Sequence, residues 1–361
     1  MKPLIYLIFD GVDHSVFAGQ VLTPFLKKLE QYPEYRGYIV SFERSSLSKK
    51  LIAQYKSRYP LITFIIVKRG PLLGQMTLKF LGIFLKYFLR SFNDYEIIAR
   101  GPLAGNIAFY ALDFKKCHKL TVQARGLLAQ EYAYHAQLDT QFDKLDRIKK
   151  WLRKFRYWQY YSIESNGYGK RKNFSYSSYV IESVSPALSR YLIDEFGIDE
   201  NKIILAHEDI PDIIPKSQIA LWRDQIRKEL SIHESVKVYC YSGAFKSWQC
   251  PKKILDFFNE QSLLEPQALL LVLTMDISLV NFHINEMGIS PDRVRVLRVS
   301  YDKIYEYLAA ADVGLLFREP HIVSWVSRPV KAMEYEAVGL SIIHNGTVAW
   351  LNERYSNFSI K

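Results

Sequence analysis

Six side chains able to do polar chemistry crowd the stretch from Arg318 to Glu334: Arg318, Glu319, Ser327, Arg328, Lys331 and Glu334. Guanidinium and ammonium groups can neutralise a diphosphate, and a carboxylate on a helix can accept hydrogen bonds from sugar or ribose hydroxyls. The stretch lies between two apolar runs, Val313-Gly314-Leu315-Leu316-Phe317 and Ser341-Ile342-Ile343, so it reads as strand, polar loop, short helix and strand. In a parallel α/β sheet, ligands collect at the carboxyl ends of strands, where loops meet helix N-termini. Spacing alone fits a solvated loop before an ordinary amphipathic helix equally well.

Three further places share that predicted geometry. The loop Asp10 to Gln20 follows the first strand; its amides can hold a phosphate and Gly11 permits close approach, though a plain strand-to-helix turn has the same composition. Arg100-Gly101 and Arg125-Gly126 each follow a predicted strand directly, with Glu131 a little further on. Arg125 can anchor a phosphate with Glu131 orienting it, or the two can simply close a loop as an ion pair. Tyr239 to Gln249 reads as a strand entering a glycine loop, with Gly243 letting the backbone approach a ligand and Lys246 as a phosphate partner. No G-x-G-x-x-G follows the first strand, and no G-x-x-x-x-G-K-[ST], H-E-x-x-H or G-x-S-x-G occurs. Dinucleotide dehydrogenase, P-loop kinase, zinc protease and serine-hydrolase readings are therefore poorly supported, and no metal is expected.

The segment Ser327-Arg328-Pro329-Val330-Lys331-Ala332-Met333-Glu334-Tyr335, followed by Gly339-Leu340, resembles the signature of family 4 (group 1) glycosyltransferases. Gln123-Ala124-Arg125-Gly126 through Glu131 resembles a second element of that group, with Gln123 where Asp is usual. The Gly243 loop resembles its diphosphate-lining loop. The resemblance implies a GT-B fold, two Rossmann-like parallel-sheet domains facing across a cleft, and a retaining enzyme that takes its sugar from a nucleotide-sugar. It implies donor binding by Gly11, Gly243, Lys246, Arg318, Ser327, Arg328, Lys331 and Glu334, and catalytic roles for Arg125, Glu131 and Glu319. No cofactor beyond the donor is implied. Val326 occupies the position of a carboxylate common in the family, and Glu319 is the residue left for that role; Ser341 replaces a usual proline. Relatives usually continue some tens of residues beyond the last strand, whereas this sequence ends at Lys361. With Val326, that keeps open a non-catalytic relative that binds a nucleotide-sugar or a partner enzyme.

Twelve short apolar runs must position these residues: 4–9, 36–42, 61–67, 95–99, 119–123, 178–183, 202–206, 236–242, 268–274, 293–297, 312–317 and 341–344. Their alternation with helical patterns predicts βαβ units and parallel sheets. The proline-containing stretch 209–215 reads as a linker between an acceptor-side domain, 1–208, and a nucleotide-sugar-binding domain, 216–361. Ser185-Pro186 reads as a cap and first residue of a helix closed by Gly197. At 361 residues and 49% hydrophobic composition the chain has material for two cores. Cys117, Cys240 and Cys250 show no pairing or zinc spacing, which suits a reducing cytoplasm. Met1-Lys2-Pro3 leads straight into a strand pattern, with no secretory signal.

The net charge of +11 calls for an anionic partner. Gln75 to Phe92 places Lys79, Lys86 and Arg90 on one helical stripe, with Leu81, Phe84, Leu85 and Phe88 roughly opposite, which fits a helix packing its apolar side on the sheet and also one lying in a membrane interface. Residues 144–172 hold ten Lys/Arg against Asp146 and Glu164, interleaved with aromatics. An anionic membrane surface at the inner face of the membrane, or a lipid-linked or polysaccharide-precursor acceptor, fits this composition. Nucleic acid is the lesser reading, because no docking motif appears.

Overall fold

The computed structural model describes residues 1–13, 17–44, 49–70, 74–138, 147–169 and 178–355. His14, Ser15 and Val16 of the first loop, and Lys144, Asp146, Lys170, Arg171 and Lys172 of the basic segment, lie outside them. The chain divides into two compact units, Met1–Asp209 and Ile210–Lys361.

The N-terminal unit is built on seven strands: β1 Lys2–Ile8, β2 Tyr35–Glu43, β3 Ile62–Lys68, β4 Tyr95–Arg100, β5 Cys117–Ala124, β6 Tyr179–Ser183 and β7 Ile203–Leu205. They form one parallel sheet in the order β3-β2-β1-β4-β5-β6-β7. The C-terminal unit has β8 Val238–Ser242, β9 Leu269–Leu273, β10 Val294–Leu297, β11 Val313–Leu316 and β12 Ser341–His344, parallel in the order β10-β9-β8-β11-β12. These strands are continuous apolar runs because both faces of each sheet are covered by helices. The sheet of the C-terminal unit shows it directly. Cys240, Leu271, Leu316 and Ile342 pack with Met333 and Tyr335 on one face, and Tyr241, Leu270, Val272 and Leu315 pack with Ile254 and Phe258 on the other. Each fully buried side chain of this size contributes about 1.5–3 kcal/mol.

Local signals set the helix ends. Ser185 Oγ accepts from Leu188 N at 3.0 Å, Pro186 opens the helix Pro186–Phe196, and Gly197 closes it at φ 64°. Asp312 ties β11 into its unit: its carboxylate accepts from Val238 N (2.7 Å), Arg223 Nη2 (2.6 Å) and Arg227 Nη2 (3.0 Å). The helix Gln75–Leu89 buries Leu78, Leu81, Leu85 and Leu89 but leaves Phe84 42% exposed, so Phe84, although roughly opposite Lys79 and Lys86, is not part of the buried stripe. The a/d-like spacing of the leucines keeps that stripe narrow and leaves intervening aromatics outside it.

In both sheets the strand order reverses once, between β1 and β4 and between β8 and β11. Open α/β sheets bind ligands beyond the carboxyl ends of the strands at such reversals.

Candidate functional site

In the C-terminal unit the reversal brings together three segments far apart in sequence. Gly243 follows β8, Phe317 and Arg318 follow β11, and the helix Val330–Ala337 carries Lys331 and Glu334. Gly243 sits at φ +124°, and a Cβ there would stand 2.9 Å from Lys331 Nζ. Glycine is needed for the backbone conformation and for the room. Lys331 Nζ donates to Gln249 Oε1 at 2.6 Å and lies 4.2 Å from the Tyr241 ring centre. Tyr241 OH donates to Ala244 O (2.6 Å) and also meets Gln249 Oε1.

Arg318 is buried, with its guanidinium 4.3 Å above the Trp248 ring centre and its Nη1 without a hydrogen-bond partner among the described residues. Asn345 clamps its backbone, accepting from Arg318 N (3.2 Å) and donating to Arg318 O (2.7 Å). Neither Arg318 nor Lys331 forms an ion pair with a described residue. Burial, and then the charge of Arg318, push the Lys331 ammonium well below its ordinary range; burial alone leads the lowering at Arg318. Glu334 is buried on the same helix and accepts no hydrogen bond from a described residue; burial raises its carboxyl to about 6, with Lys331 opposing. Two buried, mutually repelling cations, eased by the charge of Glu334 but ion-paired with no described residue, are costly in an empty protein. An anion between them would remove that cost.

The other predicted donor residues are placed as follows. Arg328 is buried in the same loop. Ser327 Oγ is turned back to Ser324 O at 2.8 Å. Lys246 is exposed at the start of the turn Ser247–Gln249. Glu319 Oε1 accepts from Cys250 Sγ at 3.1 Å, and burial followed by that bond lifts the Cys250 thiol to about 12. Val326 is buried and apolar.

In the N-terminal unit a cavity of about 180 Å³ opens at the carboxyl ends of β1, β4 and β5, lined by Asp10, Arg100, Gly101, Arg125, Gly126 and Glu131 among others. Its cations are already engaged: Arg125 Nη1 pairs with Asp209, and Arg100 Nη2 donates to Gln20 Oε1 at 2.5 Å. Arg125 thus closes on Asp209, and Glu131 stands apart over Gly126, where a Cβ would meet its carboxylate. Glu131 is open to solvent, yet the surrounding wall crowds its carboxyl and, with Asp10 nearby, raises it to about 7. Glu164, fully buried, accepts from Leu128 N (2.8 Å) and Ala129 N (3.1 Å), capping the helix Leu128–Leu138 that carries Glu131.

Gly11, at φ +97°, does leave room for close approach, but that room holds the carboxylate of Glu43: a Cβ on Gly11 would meet Glu43 Oε2 at 2.5 Å, and Val12 N donates to Glu43 Oε1 at 2.9 Å. The first loop therefore already carries an internal anion from β2.

Asn345 and Asp209 are residues of these two places that motif reading passed over, and Gln249, Tyr241 and Trp248 were read only as part of the Gly243 segment, with no role in binding. Gln249 meets Lys331 from 82 positions away, so the segment alone gave no signal of its partner. Asn345 and Asp209 have none, because only the tertiary fold places them. No group of His, Cys, Asp or Glu able to hold a metal occurs among the described residues.

No protein-family model and no curated protein matches the chain. Solved structures do resemble it. A glycosyltransferase from Rickettsia africae matches 99% of this chain and 82% of its own, with 13% identity and TM-score 0.61. WaaG, a glycosyltransferase involved in lipopolysaccharide biosynthesis, matches 97% and 83%, with 13% identity and TM-score 0.61. UDP-GlcNAc 2-epimerase from Methanocaldococcus jannaschii matches 99% and 88%, with 10% identity and TM-score 0.54. The two parallel α/β sheets of this chain are those of the GT-B fold, and the fold is shared by proteins of more than one activity.

Proposed function

We propose that the chain is a retaining glycosyltransferase of the family 4 kind, moving a sugar from a nucleoside-diphosphate donor to a glycan or lipid-linked acceptor. The observation that carries this reading is the cation pair Arg318–Lys331, buried at a strand-order reversal without an ion pair to any described carboxylate and with Glu334 one helical turn away. Such a pair suits a diphosphate, and Glu334 suits the hydroxyls of the attached sugar or ribose. The glycosidic bond from the anomeric carbon to the diphosphate oxygen breaks, and the acceptor hydroxyl oxygen bonds that carbon on the same face. The hydroxyl proton passes to the departing diphosphate. The transition state is oxocarbenium-like, so the main task is stabilising the leaving group. Arg318, Arg328, Lys331 and Lys246 are assigned to it, Glu319 to the anomeric centre, and Arg125 and Glu131 to the acceptor. With charge neutralised by side chains, transfer should persist in EDTA.

The test is a panel of nucleotide-sugars assayed for donor hydrolysis and transfer, alongside calorimetry with the nucleoside diphosphates. Turnover with one donor, lost in Lys331→Ala, supports the reading. Binding without turnover would assign the chain to nucleotide-sugar recognition alone, and absence of both would remove the reading altogether.

A further inference from the structure

The N-terminal unit exposes an unusual set of large apolar side chains on two helices. On Gln75–Leu89 these are Met76 (71% exposed), Phe80, Ile83, Phe84 and Tyr87 (74%). On Arg147–Gly167 they are Trp151 (63%), Leu152, Phe155 and Trp158. Both helices pack on the helix Gly101–Ala111, and Gly74, at the start of the first, lies against Gln159 of the second. These side chains lie outside the buried stripe, which on Gln75–Leu89 is made of Leu78, Leu81, Leu85 and Leu89. Trp151 and Phe155 stack face to face at 5.7 Å, making a flat aromatic ridge in solvent.

The same faces carry cations. Lys79, Lys86 and Arg90 are exposed on or at the end of the first helix, which contains no acid; Lys149, Lys150, Lys154 and Arg156 are exposed on the second, whose one acid, Glu164, is turned inward as a helix cap. Beside them Lys149, Leu152, Arg153, Phe155, Arg156 and Tyr132 line a hollow of about 450 Å³. Exposed aromatics set among cations and cleared of acids match the boundary of an anionic bilayer, where rings enter the headgroup layer and cations meet lipid phosphates. A second copy of the same face is a poor occupant, because it would bring these cations against one another.

We propose that the helices Gln75–Leu89 and Arg147–Gly167 form a docking surface for an anionic lipid bilayer, with the hollow beside Arg153 and Arg156 receiving a lipid headgroup phosphate. This stands apart from sugar transfer: it uses neither the cation pair nor the cavity of the N-terminal unit.

The test is sedimentation of the full chain with vesicles of neutral phosphatidylcholine or of phosphatidylcholine with about a third phosphatidylserine. Binding is expected only to the anionic vesicles, weakening steeply as salt rises. The double variant Lys150→Glu, Lys154→Glu should lower partitioning at least ten-fold at low salt, and Phe80→Ser with Trp151→Ser should lower it at all salt concentrations. These residues are exposed, so their melting temperatures should stay near wild type, and Lys331→Ala should sediment as wild type does. Equal binding to both vesicle types, or none to either, would overturn the proposal. So would a dimer that dissociates with the same substitutions, or a single-stranded oligonucleotide that binds as tightly and depends on the same aromatics.

Discussion

The two strand-order reversals of this molecule look alike in outline and differ in charge. At the N-terminal one, each arginine has a polar partner of its own, Asp209 for Arg125 and Gln20 for Arg100, and carboxylates line the same cavity. At the C-terminal one, Arg318 and Lys331 have an aromatic ring, an amide and each other but no ion-paired carboxylate among the described residues, and Glu334 acts on Lys331 only through its charge. A balanced cavity suits a ligand recognised through hydroxyls, whereas an unbalanced one suits a dianion. The first loop makes the same point, since the phosphate-like seat at Gly11 is filled by Glu43 from within the chain. On the proposed function, the difference in charge sends the anionic group to the C-terminal unit.

The sharpest way to break that division is Lys331→Ala. Loss of one cation from a developing leaving group costs on the order of 10³-fold in turnover. The empty protein should melt no lower than wild type, because a desolvated, repelled charge has been removed. A saturating nucleoside diphosphate should raise the wild-type melting temperature, equivalent to about 2.7 kcal/mol at a hundred times the dissociation constant, and should leave the variant unmoved. A clear fall in the melting temperature of the empty variant would show Lys331 to be structural.

Gly243→Ala acts on the same cluster through the backbone. The φ of +124° and the 2.9 Å approach to Lys331 Nζ are both against a side chain. The expected result is a stability loss of about 1–3 kcal/mol and roughly ten-fold weaker nucleoside diphosphate, read by melting and calorimetry. Unchanged affinity would mean that Lys331 need not stay where Gly243 holds it.

Much of the fold was legible because buried parallel strands leave a plain record. Each of the twelve apolar runs overlaps a strand, from Lys2–Ile8 to Ser341–His344, and Ser185-Pro186 to Gly197 marks its helix at both ends. The candidate site was legible only where it is local. Arg318, Arg328, Lys331 and Glu334 share one loop and helix, so their meeting follows from spacing. Their setting does not: Gln249 reaches Lys331 from 82 positions away in sequence, and Asn345 clamps Arg318 from 27. The Arg125–Glu131 pairing went astray for the same reason, since Asp209, 84 residues on, lies closer to the guanidinium. The helix Gln75–Leu89 shows a different limit. Angles on a wheel separate lysines from leucines, but which aromatics are buried depends on how wide a stripe the neighbouring helix Gly101–Ala111 covers.

Glu131→Gln probes the balanced side. If the cavity takes the acceptor, this change should raise the acceptor KM about ten-fold and leave nucleoside diphosphate affinity untouched. In the wild type, with the carboxyl raised to about 7, acceptor KM should change across neutral pH, and the glutamine variant should lose that inflection. A change in nucleotide affinity instead would place Glu131 on the donor and erase the contrast between the two reversals.

The smallest effect follows from Glu334, whose carboxyl stands at about 6 against an ordinary 4.5. Only the ionised carboxylate can accept from two hydroxyls at once, so donor affinity should hold above pH 7 and weaken several-fold as pH falls through 6. Stability of the empty protein runs the other way. A raised carboxyl favours the protonated fold, a contribution that is complete below 4.5 and gone once pH has risen past 6. Binding and stability should therefore have opposite slopes between pH 5 and 7, and Glu334→Gln should flatten both. Calorimetry and melting curves over that range decide it: parallel slopes in the wild type, or a slope in affinity that survives the substitution, would detach Glu334 from the donor and leave its recognition to Arg318, Arg328, Lys331 and Lys246.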